Sequence, residues 1–160
     1  MAVGDPEPAR HDLSEPGRRT LALDLGKVRV GVAVDDGLGL LAHARGVLPA
    51  RDRPALLKAI ARLAREEGAC RIVVGLPVDM RGHEGDAAKQ ARRDAQAIAD
   101  ATGLDVELWD ERMTTLSAAR SLEASGVRGE KAKRRIDEAA AVAILQSWLD
   151  ARAHGRRHPR

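Results

Sequence analysis

The sequence predicts an α/β domain in which a five-stranded mixed sheet carries helices on both faces. Three features lead there: three strand-like runs follow one another directly, helix-like and strand-like runs then alternate, and the first run is apolar at nearly every position. Strands joined by short turns pair antiparallel, whereas strands joined through a helix pair parallel. The first strand therefore belongs in the middle of the sheet, where both of its faces are covered.

Residues 1–18 hold prolines and acids without hydrophobic periodicity, so a disordered tail is expected ahead of a domain spanning 19–154. Residues 20–25 form the first strand, Gly26-Lys27 turns the chain, and Val28 to Val34 alternates large apolar with small or basic side chains as a second strand. Asp35-Asp36-Gly37 is a turn signal before a weaker third strand near Arg45 to Leu48. Pro54 opens an amphipathic helix with Leu57, Ile60, Leu63 and Ala64 on one face, ended by Gly68. Ile72 to Pro77 reads as a buried strand, and a glycine-rich loop leads to a helix over Asp86 to Thr102, stopped by Gly103. Leu104 to Trp109 supplies the fifth strand. A helix from Thr114, a basic loop from Gly126 to Arg135 and a last helix from Ile136 to Ala153 complete the domain, leaving 155–160 as a basic tail.

A chain of 160 residues is one domain, long enough to bury about two thirds of its unfolded surface. Its 27 Lys and Arg against 24 Asp and Glu suit a phosphate-rich partner. With no Phe, no Tyr and only Trp109 and Trp148, it is poorly equipped to grip splayed bases by aromatic stacking. Cys70 is alone, opens an apolar strand and reads as a small buried hydrophobe. No apolar run reaches the roughly 18 residues that span a bilayer, and the N-terminus lacks the basic start and apolar stretch of a signal peptide. A cytoplasmic protein with no membrane partner is expected.

The acids carry the functional signal. Asp24 interrupts Leu21-Ala-Leu-Asp-Leu25, Asp110 and Glu111 close the fifth strand, and Asp137 lies on the inward stripe of the last helix, four residues before Ala141 and seven before Ile144. A carboxylate withdrawn from water costs several kcal/mol unless it is paired or binds a metal. Carboxylates delivered to one point by separate elements are the signature of a divalent-cation site. Strand alternation puts only one of Asp110 and Glu111 on the side of Asp24. Structural roles are also open to these acids, Asp24 at the Gly26 bend and Asp137 at its helix start.

Asp24-x-Gly26 with Arg29-Val-Gly-Val-Ala33, Gly75-Leu-Pro77 with Met80 and Gly82, Asp110-Glu-Arg-Met-Thr-Thr115 and Asp137-Glu-Ala-Ala140 together resemble the YqgF/RuvX family. That family is described as Holliday-junction resolvases or pre-16S ribosomal RNA nucleases of ribonuclease H-like fold. The four blocks stand in the right order over residues 20 to 150. The resemblance implies a metal-dependent endonuclease with a catalytic set of Asp24, Asp110, Glu111 and Asp137. Asp24, Glu111 and Asp137 would hold Mg2+ or Mn2+, in the two-ion arrangement that suits phosphodiester hydrolysis. Glu111 is favoured over Asp110 as ligand. Arg29, Arg92, Arg112, Lys133 and Arg135 would contact the substrate backbone. Where the family usually has a lysine beyond the DxG glycine, this chain has Val28 and carries Lys27 one place earlier, which leaves Arg29 as the main phosphate ligand of that strand. His83, Thr114 and Thr115 are secondary candidates with ready structural uses.

The implied partner is nucleic acid, foremost the 5′ region of precursor 16S rRNA or its ribosomal precursor particles, with branched DNA competing, acted on by a monomer or homodimer. A relative that binds nucleic acid without cutting it is the alternative. An actin-like kinase also starts from a DxG strand but needs two such domains.

Overall fold

The computed structural model describes residues 18–114, 126 and 128–157, without the side chains of 156 and 157. Strands β1 (Arg19–Leu25), β2 (Arg29–Asp35) and β3 (Ala42–Pro49) form an antiparallel meander, and β4 (Ala69–Leu76) and β5 (Asp105–Asp110) run parallel to β1. The sheet order is β3-β2-β1-β4-β5, which puts β1 in the centre as its apolar sequence requires.

Alternation along the strands sorts the two layers. Leu21 and Leu23 of β1, Val30 and Val32 of β2 and Ile72 and Val74 of β4 point to one face, covered by α1 (Arg53–Glu66) and α2 (Asp86–Thr102) through Leu56, Ile60 and Ile98. Ala22, Ala33 and Val73 point to the other, where Ala140, Ala141, Ile144, Leu145 and Trp148 of α3 (Glu130–Arg157) cover them. Local chemistry fixes the ends. The Asp52 carboxylate caps α1 by accepting from the Ala55 amide at 3.1 Å, Pro54 fills the first turn, and Gly103 closes α2 in the left-handed region at φ 71°.

Three elements differ from the sequence expectation, the fourth strand among them, which begins at Ala69 rather than Ile72. The third strand is longer than 45–48, because its ladder with β2 runs from Arg29↔Pro49 to Asp35↔Ala42; its polar residues are tolerated on an exposed edge. The last helix starts at Glu130 rather than Ile136 and continues to Arg157, into the expected 155–160 tail. Lys, Arg and Glu are strong helix formers, and Gly129, at φ 97°, marks the entry, so much of the expected basic loop is helical. Asp137 consequently sits two turns into the helix, which removes the capping and dipole arguments made for it. Of the helix expected from Thr114, only Thr114 is described, and it closes a short 3-10 turn over Glu111–Met113; residues 115–125 lie outside the described residues, as do 1–17 and 158–160. Among the described residues no helix is long and apolar enough to cross a membrane.

Glu67, at the end of α1, clamps two strands at once, accepting from Arg19 of β1 at 2.8 Å and from Arg45 of β3. Hydrogen bonds from Arg45, and then Arg19, hold its carboxyl below the ordinary 4.5. A carboxyl depressed by folding contributes stability above its unfolded pKa and loses it as pH falls through the folded value. Glu67→Gln is therefore expected to cost roughly 1 kcal/mol near neutral pH. In thermal unfolding, its deficit against wild type should shrink as the pH drops below 4.5.

Candidate active site

The C-terminal end of β1 is flanked by glycine on both sides. Asp24 pairs with Gly31 of β2, and one step past the Leu23↔Val74 pair brings it level with Gly75 of β4. Parity places Asp24 on the face of Ala22, beneath α3. A Cβ added at Gly31 would stand 2.0 Å from the Asp137 carbonyl oxygen, so the backbone of α3 touches the sheet there. A Cβ added at Gly75 would stand 3.0 Å from Glu111 Oε1 and 2.7 Å from Ile144 Cδ1. Asp24 thus lies between the residue beneath Asp137 and the residue beneath Glu111. All three acids are half-buried.

Glu111 owes its place to the 3-10 turn that follows β5 and to α3. Trp109, two residues before it, donates its indole N–H to Ser147 Oγ at 3.0 Å, and Ser147 donates on to the Met113 carbonyl at 2.7 Å. The hydroxyl of α3 thereby pins the chain on both sides of Glu111. Thr114 Oγ1 donates to the Glu111 carbonyl at 2.6 Å, a local structural bond. Asp110 leaves the group: both of its oxygens accept from Arg112, Nε at 3.0 Å and Nη2 at 2.6 Å to Oδ2, and those hydrogen bonds hold its carboxyl below the ordinary value. Of the two adjacent acids, Glu111 is the one over Gly75.

The basic candidates divide in the same way. Arg29 Nε donates to Asp137 Oδ2 at 2.7 Å, and its Nη1 lies 3.6 Å from Glu130. Arg92 pairs with Glu84 beyond the site, and Arg112 with Asp110. Lys133 and Arg135 are exposed, but residues two apart on a helix face nearly opposite ways. Lys133, four before Asp137, and Arg134, three before it, share its side; Arg135 points toward Ala44 of the edge strand. His83 lies with Nδ1 3.4 Å from Asp79 Oδ2, inside a loop that Asp79 organises by accepting from the Arg81 and His83 amides.

Among the described residues no three acids, histidines or cysteines already form a set able to hold an ion, and Asp137 is engaged by Arg29. The donor chemistry nonetheless fits a hard cation. Asp24, Glu111 and Asp137 offer only carboxylate oxygens from three separate elements around one glycine-lined point, the ligand type Mg2+ and Mn2+ prefer. Sequence reasoning gave no site role to Gly31, Gly75 or Ser147, which shape this point. Their signals were small or hydroxyl residues at positions where a large apolar side chain would otherwise fit.

A mixed sheet of this order, with acids gathered at the end of its central strand, defines a ribonuclease H-like domain. Among solved structures, T. thermophilus RuvC in complex with Holliday junction substrate has the same fold, with a TM-score of 0.53 over 85% of this chain and 96% of that one at 14% identity. The chain belongs to the RuvX family, whose model, described as "RuvX: Holliday junction resolvase", matches residues 18–151. Its relatives include proteins named "Putative pre-16S rRNA nuclease" from Myxococcus xanthus, 44% identical over 83% of this chain and 88% of that protein, and from Streptomyces coelicolor, 45% identical over 88% of this chain and 84% of that protein.

The two glycines lead to opposite expectations. Gly31→Ala sets a methyl against backbone and should cost at least about 1–3 kcal/mol of stability. Gly75→Ala meets chiefly the movable ends of Ile144 and Glu111, so it should melt close to wild type while displacing the carboxylate. Thermal unfolding and Mn2+ titration of both variants test this. Equal melting losses would show that the α3 backbone does not rest on Gly31.

Proposed function

We propose that this chain is a metal-dependent endonuclease acting in the cytoplasm on structured nucleic acid, with the 5′ region of precursor 16S rRNA as substrate. The observation that carries the chemistry is the position of Asp24 between Gly31, which lies beneath Asp137, and Gly75, which lies beneath Glu111. The substrate comes from the names of relatives that match over most of both chains. The description of the family favours branched DNA as the second choice.

Bound divalent ions supply a nucleophilic hydroxide at neutral pH and charge stabilisation at the phosphate. The residues around them do the rest. Asp24, at the end of the central strand, would be the fixed ligand, and Glu111 is held by the Trp109–Ser147–Met113 chain of hydrogen bonds. Asp137 must exchange Arg29 for its role as ligand. Arg29, so released, is placed to meet an incoming phosphate. Its planar fork matches a phosphate as well as it matched the carboxylate. Lys133 and Arg134, one turn before Asp137, guide the backbone without touching the reacting atoms.

Asp24→Asn, Glu111→Gln and Asp137→Asn should each lower cleavage of a precursor 16S rRNA fragment at least about a hundredfold while substrate binding persists. Activity should require Mg2+ or Mn2+, with Ca2+ a poor substitute because its longer bonds misplace the water. Full activity in excess EDTA, or a near wild-type rate in the Asp24 variant, would overturn this mechanism. Comparing the RNA fragment with a four-way DNA junction decides the substrate.

Each cation that neutralises a phosphate contributes a salt dependence of roughly 0.7 to 0.9 in log–log slope. Replacing Lys133 and Arg134 by Ala together should flatten the slope by about one to two units. Replacing Arg135 should change it little. A larger effect from Arg135 would place the substrate on the β3 side of α3 instead.

A further inference from the structure

A cavity of about 620 Å³ opens at the same sheet edge, on the α1/α2 side, and shares Gly75 and Glu111 with the carboxylate point. It lies outside the carboxyl ends of β1 and β4, where the chain leaves toward β2 on one side and toward β5 on the other. In open α/β sheets that divergence is where ligands bind. The volume falls within the roughly 300–1,000 Å³ of small-ligand sites. Its wall divides by chemistry. Lys27 and Arg51 stand at one side, and among the described residues neither has a carboxylate partner. On the other side Asp94, buried to 8% exposure, ion-pairs with Arg53 and accepts from Gln90 Nε2 at 2.9 Å. Gln90 Oε1 accepts from Arg93 at 3.0 Å, so its amide is held in one orientation. That amide keeps a second N–H and a second lone pair for a ligand. Between the two sides lie apolar surfaces of Leu25, Ala50, Pro77 and Ala91.

From this arrangement we infer that the cavity is a subsite for one unstacked nucleotide of the substrate, next to the phosphate that is cut. An apolar floor takes the base, the oriented Gln90–Asp94 edge hydrogen-bonds it, and Lys27 and Arg51 take the adjoining phosphate. This site supplies what a chain without Phe or Tyr cannot supply by aromatic stacking. The inference rests on the nuclease function proposed above, but its first test does not.

In amide NMR of the full chain, nucleoside 5′-monophosphates at millimolar concentration should shift Lys27, Arg51, Gln90 and Ala91. Inorganic phosphate should not reproduce the Gln90 and Ala91 shifts. Ala87→Trp, at an exposed position on the cavity wall, should abolish them and leave the remaining spectrum folded. In the second test single abasic sites are walked through a cleaved RNA. One position beside the cut should lower kcat/KM by about tenfold, the scale of one lost buried contact. The same abasic site should have no further effect in Ala87→Trp or Gln90→Ala. Equal shifts from phosphate alone would overturn the nucleotide assignment. Normal cleavage with a flat abasic scan would overturn the substrate subsite while leaving the nuclease intact. Nucleotide shifts in a protein that cuts nothing would support the cavity and overturn the nuclease.

Discussion

The contact on which the site depends is the approach of the α3 backbone to β2 at Gly31. The Asp137 carbonyl oxygen occupies the place where any side chain of residue 31 would begin. Helix and sheet can come this close only because the facing residues are small: Ala22, Ala33, Ala140 and Ala141 are all buried in the same layer. Glycine in a strand gives up conformational freedom and a packing side chain. What the fold gains is an aspartate from a helix set over the strand residue that pairs with the aspartate of the central strand. A bulkier layer would lift α3 away and leave Asp24 facing apolar side chains, where its charge could not be tolerated.

Gathering acids at one edge sets them against each other, and the structure answers with arginines rather than separation. Arg29 reaches Asp137 at 2.7 Å, and Arg112 grips Asp110 through both oxygens. Both pairs are partly exposed, so their contribution to stability is modest. Their greater consequence is directional. Arg112 takes Asp110 away from its neighbour, and Arg29 holds Asp137 in place at the sheet edge through an exchangeable contact. A guanidinium that satisfies a carboxylate in one state can satisfy a phosphate in another, since both accept the same planar fork.

Much of this was legible in the sequence because it follows from short-range periodicity. The apolar run around Asp24 placed it on the central strand, alternation left room for only one of Asp110 and Glu111 on its side without choosing between them, and Gly103 marked the end of α2 as it stands in the fold. The start of α3 was not legible. A run of Lys, Arg and Glu reads as solvated loop, although the same residues favour a helix once a core-facing stripe follows. The Arg29–Asp137 pair joins residues 108 apart in the chain, and no local pattern announces it. Gly31 and Gly75 were visible as residues but not as contacts, because their meaning lies in what another element brings above them.

Parity explains why one sheet edge presents two different surfaces. Successive strand residues face opposite layers, so β1 sends Asp24 under α3 and Leu25 to the α1/α2 layer, while β5 sends Trp109 to the α3 layer and Leu108 to the other. The α3 layer is narrow and lined by small residues, with the half-buried carboxylates at its end. The opposite layer, opened between the starts of α1 and α2, has room for a larger and partly apolar group. Gly75 joins them: having no side chain, it leaves the edge of β4 open to both sides. A one-residue slip of β4 would put Val74 or Leu76 there and close that opening, so register in the parallel half of the sheet governs the shape of this edge as much as its stability.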